Sequence, residues 1–147
     1  MRRAGALVSG FFLAVIIGCS SVTPVSIRAG DICDSCRRTI ENVKIAAEIV
    51  PPPGHMPLKF RTVSCMARYL HEHTDTQGEV FVTDYATARL IQARSAVFVK
   101  SEIDPNTKEL DYFAFGDVRA AVEFGKKIGG TATDWPAIRQ RVAAGAN

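Results

Sequence analysis

The sequence predicts an α+β fold, a small single domain of two β-hairpin or strand-plus-helix units preceded by a signal segment. Three observations carry this. A basic start, Met1-Arg2-Arg3, leads into an almost wholly apolar run from Ala4 to Gly18. That run is too short for a permanent membrane helix, which needs about 20 residues, but has the length of a secretory signal's apolar region. Beyond it, short apolar stretches alternate with Pro, Gly and Asp punctuation in the manner of strands and turns, and segments with helical spacing follow them. The remaining length suits one hydrophobic core.

The elements follow in order. Residues 1–18 form the signal peptide, 19–31 a polar tether, and 32–147 the domain. Lys44 to Val50, rich in Ile, Val and Ala, reads as a strand. Pro51-Pro52-Pro53-Gly54 must turn, because proline offers no ladder donor and glycine permits positive φ. Leu58, Phe60 and Thr62 alternate with polar neighbours as the returning strand of a hairpin. A helix begins near Ser64, with Val63, Met66, Ala67 and Leu70 at helical spacing. Glu79 to Thr83 is a strand ending at Asp84. Arg89 to Ala93 fits either a strand or a helical turn. Ala96 to Lys100 is a buried strand, Ile103 to Glu109 a polar loop, and Tyr112 to Phe115 the returning strand. Asp117 caps a helix whose apolar face is Val118, Ala121, Val122 and Ile128, and Gly129-Gly130 stops it. Asp134-Trp135-Pro136 starts the last helix, with proline in its tolerated first turn.

The apolar run closes on Ile16-Ile17-Gly18-Cys19, which resembles a bacterial lipobox. That resemblance implies cleavage before Cys19 and attachment of acyl chains, palmitate among them, to its thiol and new N-terminus. Several such chains, at about 0.8 kcal/mol per buried methylene, hold a protein on a membrane. The expected location is the cell envelope, facing the periplasm. Ser20, rather than an aspartate, follows Cys19 and favours the outer membrane over the inner one. With Arg2 and Arg3 removed, 16 basic residues stand against 15 acidic, a net charge of +1. Nothing in that balance supports nucleic-acid binding.

Three thiols remain for the domain: Cys33, Cys36 and Cys65. Cys65 falls in the first turn of its helix, where free amides and the helix dipole favour a thiolate. A C-x-x-C knuckle, a hairpin and then a helix beginning with cysteine is an order that can bring all three together. Thiolates select copper(I) or zinc. The alternatives are a periplasmic thiol-redox protein using the C-x-x-C pair, and a structural zinc site or Cys33–Cys36 disulfide inside an interaction domain. A thioredoxin-like motif, however, follows a strand at the start of a long helix, and this one precedes the hairpin. Met66 lies about 100° around the helix from Cys65, a direction suited to packing; it is retained as the candidate thioether ligand.

From Ile32 to Gly130 the chain resembles the NosL lipoproteins. The resemblance rests on Cys33-Asp34-Ser35-Cys36, on Thr62-Val63-Ser64-Cys65-Met66-Ala67-Arg68-Tyr69, and on Val82-Thr83-Asp84-Tyr85. It continues through Ala93-Arg94-Ser95-Ala96-Val97-Phe98-Val99, Phe113-Ala114-Phe115-Gly116 and Gly129-Gly130. It implies a small α+β domain that binds copper(I) at the cell envelope and delivers it to an enzyme such as nitrous oxide reductase, with a copper donor or a copper-accepting enzyme as partner. Family members carry Gly-Met after the C-x-x-C, where this chain has Arg37-Arg38. The loop from Ser101 to Tyr112 lacks the methionine found there in the family. Arg37 and Arg38 are expected to face solvent, because burying two cations beside a metal is costly.

No catalytic triad, phosphate-cradling glycine loop or carboxylate pair emerges, so the expected role is not enzymatic. His55 and Met56 belong to the hairpin tip. His71 and His73 end the first helix, where the dipole favours them. Asp84 is read as bonding the local backbone, with Tyr85 covering the core.

Overall fold

The computed structural model describes residues 22–145. The signal peptide and Cys19 lie outside the described residues. Among the described residues, seven strands form two antiparallel sheets, accompanied by three α-helices. The strands are β1 (Ala47–Val50), β2 (Leu58–Phe60), β3 (Glu79–Thr83), β4 (Leu90–Gln92), β5 (Val97–Asp104), β6 (Glu109–Phe115) and β7 (Ala132–Thr133). The helices are α1 (Val63–Glu72), α2 (Val118–Ile128) and α3 (Trp135–Ala143).

The first sheet has the order β2-β1-β3-β4 and the second β6-β5-β7. The expected first hairpin is present, with Ala47 opposite Phe60 and Ile49 opposite Leu58. Its first strand starts later than its composition suggests. Val43–Ile45 is a 3₁₀ turn, capped by the Asn42 side chain accepting from the Lys44 N–H at 3.0 Å. Arg89 to Ala93 resolves into a strand, β4, leading into a second 3₁₀ turn over Ala93–Ser95. The expected loop from Ile103 to Glu109 is shorter, because Ile103, Asp104 and Glu109 belong to strands. Only Pro105 to Lys108 turn, and Asp104 accepts from the amides of Asn106 and Lys108 at 2.8 and 2.9 Å. Local side-chain bonding of this kind closes a tight turn that polar composition alone makes look longer.

The main core joins Ile40, Ile49, Phe60, Val63, Met66, Val82, Phe98 and Ile138. A second cluster holds Val99, Phe113, Phe115 and Ala121, with Tyr85 and Phe124 packed against it. Tyr85 sits edge-on to Phe113 at 4.7 Å, and Asp84 binds the Ala86 amide and the Thr87 hydroxyl. Both agree with their reading from sequence. The expected apolar face of α2 needs correction, because Val118, Val122 and Ile128 are all exposed. The helix turns Ala121 and Gly125 inward, with Phe124 beside them. A β-carbon on Gly125 would come within 2.9 Å of the Gly130 carbonyl oxygen. A small residue there lets α2 lie flat against its own exit turn, and that contact outranks the valine stripe.

The tether has no regular structure from Val22 to Arg28, yet it is docked. The Val25 N–H donates to the fully buried Glu48 of β1, and Ile27 packs on the main core. The second carboxylate oxygen of Glu48 has no hydrogen-bond partner among the described residues. Burial pushes the Glu48 pKa above its ordinary 4.5, against the opposing pull of the Val25 N–H and the Lys59 charge. A carboxyl whose folded pKa is raised binds its proton more tightly folded than unfolded. Its contribution is therefore complete below pH 4.5 and is lost as pH rises through the folded value. Burial raises Asp111 in the same direction, whereas Asp31 is lowered, first by its bond to Lys59. Glu48→Gln is expected to flatten the fall in stability between pH 4.5 and neutrality, measured by urea unfolding. An unchanged slope would clear Glu48 as its source.

Candidate metal centre

Each cysteine is placed by local chemistry before any metal is considered. In the knuckle the Cys33 N–H donates to the Arg38 carbonyl at 2.9 Å, and the Arg37 N–H donates to the Cys33 carbonyl at 3.0 Å. Asp34 clamps this loop to β2. Its amide donates to the Lys59 carbonyl at 2.8 Å, and its carboxylate accepts from the Lys59 N–H at 2.7 Å. Cys65 is set by the start of α1. Thr62 caps the helix by accepting from the Cys65 N–H at 3.3 Å, and the buried Asp111 of β6 accepts from the Ser64 N–H at 3.0 Å. These side chains satisfy two of the free amides every helix start leaves.

The hairpin carries the helix start back to the knuckle, as the order of the motifs suggests. The sulfurs of Cys33, Cys36 and Cys65 lie within 4.8 Å of one another, and all three are free thiols. Cys33 and Cys65 are buried and Cys36 is half-buried. No His, Asp or Glu among the described residues joins the group. A metal–thiolate bond of about 2.3 Å puts sulfurs around one ion about 4 Å apart. The three thiols therefore need to close by less than about 1 Å to share an ion.

Protonation is divided unequally. The Cys33 thiol is held far below the usual range, first because Cys65 donates a hydrogen bond to it and then because the amides of Cys36, Arg61 and Ser35 do so, with burial opposing. Cys65 is pushed up by the same contact with Cys33 and by burial. The contact thus moves the two thiols in opposite directions, and a metal taking both as thiolates must displace the proton that Cys65 holds more tightly.

Arg61, which carries no sequence signal, is the charged neighbour. Its guanidinium pairs with Glu109, reaches Cys36 by a hydrogen bond, and is only 14% exposed. It sets a fixed positive charge beside the thiols. Glu109 is 48 residues away along the chain, too far for local spacing to reveal the pair. Arg37 and Arg38 face solvent as expected, with their side chains 73% and 62% exposed. Arg37 adopts φ 60°, in the left-handed region. A non-glycine residue there costs about 1 kcal/mol or slightly more. The exposed Arg37–Asp34 pair at 3.7 Å returns little of that. Arg37→Gly is expected to raise stability by about 1 kcal/mol with the thiols undisturbed, and denaturant unfolding that finds a loss would contradict it.

Met66 is fully buried in the main core beside the site. The other candidates are placed elsewhere. His73 caps the end of α1, its ring 4.1 Å from that of Tyr69 and its Nδ1 3.0 Å from the Tyr69 carbonyl. His71 is exposed beside Trp135, and His55 and Met56 occupy the hairpin tip. Trp135 is buried against Phe98.

Fold and site together define a small α+β domain with a three-cysteine centre able to hold a soft metal ion. The family model for NosL matches residues 24–143, and the chain belongs to that family. Its fold matches the crystal structure of the copper chaperone NosL from Shewanella denitrificans with a TM-score of 0.65. That match has 19% sequence identity and covers 78% of this chain and 93% of the other. No curated protein matches the sequence.

Proposed function

We propose that this chain is a lipid-anchored, non-enzymatic accessory protein of the cell envelope. It binds copper(I) through Cys33, Cys36 and Cys65 and delivers it to a copper enzyme such as nitrous oxide reductase. The observation that carries the reading is the convergence of three thiols with no His, Asp or Glu as a fourth member among the described residues. Structural zinc sites close with four ligands, whereas soft, low-coordinate copper(I) is served by thiolates and thioethers. The knuckle also runs into a turn and an extended segment rather than into a helix of its own, unlike a thioredoxin-type pair, so metal chemistry fits it better than dithiol exchange.

Each residue has a distinct part. Cys33 supplies the ready thiolate. Cys65 becomes a ligand on releasing its proton, and the half-buried Cys36 is the ligand through which copper is exchanged. Arg61 offsets the negative charge that thiolates bring to a monovalent ion. Met66 is the thioether nearest in sequence. Anchoring is through acylated Cys19, in the outer membrane by the Ser20 rule.

Titration of the reduced chain with copper(I), in competition with zinc, tests this. The expected result is one copper(I) per chain, preferred over zinc and lost when all three cysteines become serine. Equal copper(I) affinity in the triple variant, or a preference for zinc in a closed four-ligand shell, would overturn it.

A further inference from the structure

The tip of the β1–β2 hairpin lies at the end of the domain where the chain leaves toward Cys19. Val22 and Thr23 line one groove with Val50, Pro51, Pro53 and His55. Only Ser20 and Ser21 separate Val22 from Cys19. At no more than about 3.6 Å per residue, the acylation site stays within about 11 Å of Val22. The segment following Val22 is also held in place. Glu48 accepts the Val25 N–H, Lys59 Nζ donates to the Ser26 carbonyl at 3.2 Å, and Ile27 packs on the core. The direction of departure is therefore set by the domain.

The surface at that end is suited to lipid. From Pro51 to Pro57 the tip carries one titratable side chain, His55. Met56 is 83% exposed, the largest exposure of any large apolar residue described, and Val22 and Val25 are 41% and 45% exposed. Asp75 and Glu79 border the patch, and no Lys or Arg lines either groove beside the tip. Apolar contact is thus its means of attachment, with no call on anionic headgroups.

We infer that the hairpin tip, with Met56 at its point, rests on the bilayer interface and orients the domain there. This rests on the reading of Cys19 as the acylated residue. Met56 and Arg61 flank β2 five residues apart, at most about 17 Å at the strand rise, and the Arg61 amide bonds Cys33. The thiols then stand at the end away from the lipid, open to a soluble partner. A flexible lipid leash would leave that orientation random.

The test uses the full acylated chain, purified from bacterial membranes and reconstituted in phosphatidylcholine vesicles containing bromine-labelled acyl chains. Met56→Trp is compared with Leu110→Trp, an exposed position beside Glu109 at the thiol end, both over the native Trp135 background. Bromolipid is expected to quench about half of the added emission of Met56→Trp and none of that of Leu110→Trp. Equal quenching of the two, or no quenching of Met56→Trp, would overturn the orientation. Intact mass and vesicle flotation on the same samples separate the two readings. An acylated, floating chain with an unquenched Met56→Trp fails the orientation alone, whereas a chain without acyl groups that does not float fails both.

Discussion

Cys33→Ser and Cys65→Ser are each expected to weaken copper(I) binding by at least about 100-fold, since changes one shell out from a metal already cost about 10–100-fold. Both sulfurs are buried, and each residue is positioned by backbone bonds that serine would keep while offering no soft ligand. Serine at position 33 also removes the sulfur whose contact pushes the Cys65 thiol up. Cys36→Ser should cost less affinity, because its sulfur is half-buried and water or another donor can take its place. It should slow transfer more than the others slow it, since the exchanging ligand is the one removed. Competition against a copper(I) chelator gives the affinities, and stopped-flow transfer to that chelator gives the rates. Three equal losses of affinity with unchanged transfer rates would remove the distinction drawn between Cys36 and the buried pair.

Phe98→Ala should destabilise the metal-free domain by about 3–5 kcal/mol, the usual cost of emptying a fully buried aromatic site. Phe98 is wholly buried on the central strand of the second sheet, opposite Ala114 and Thr133, with its ring 6.2 Å from that of Trp135. One substitution therefore loosens β5 and α3 together. Domains of this size have only about 5–15 kcal/mol in hand, so much of the fold's margin is removed. Under the proposed function copper(I) favours the folded chain, where the three thiols converge, and a free concentration a thousandfold above Kd returns up to about 4 kcal/mol. The variant is expected to melt well below the parent when metal-free and to recover most of the difference when loaded. A variant whose Tm ignores copper(I) would separate the thiol centre from the fold.

Much of the domain is legible along the chain. Period-two patterning marks the first hairpin, Asp117 and Asp134 mark two helix starts, and Gly129, at φ 70°, marks the end of α2. These signals are local: each depends on a side chain bonding its own neighbouring backbone or on alternation within one strand. The three thiols were also legible, because the C-x-x-C spacing, the hairpin and the cysteine in the first helical turn each constrain the next.

What tertiary structure decided is everything set by partners distant in sequence. Strands β3 and β4 join the first sheet although they follow α1, since β3 pairs with β1 along Ala47 to Val50. The valines of α2 face outward because Gly125 lets the helix close on Gly130, a contact invisible to helical periodicity. Arg61, Glu109 and Asp111 became part of the thiol centre only when β6 was laid beside the start of α1. Whether one sulfur keeps its proton depends on how close another is held and how many amides converge on it. Neither quantity is written in residue order. Sequence alone supplied the three thiols and their local geometry; packing supplied the charge and burial that govern how those thiols behave.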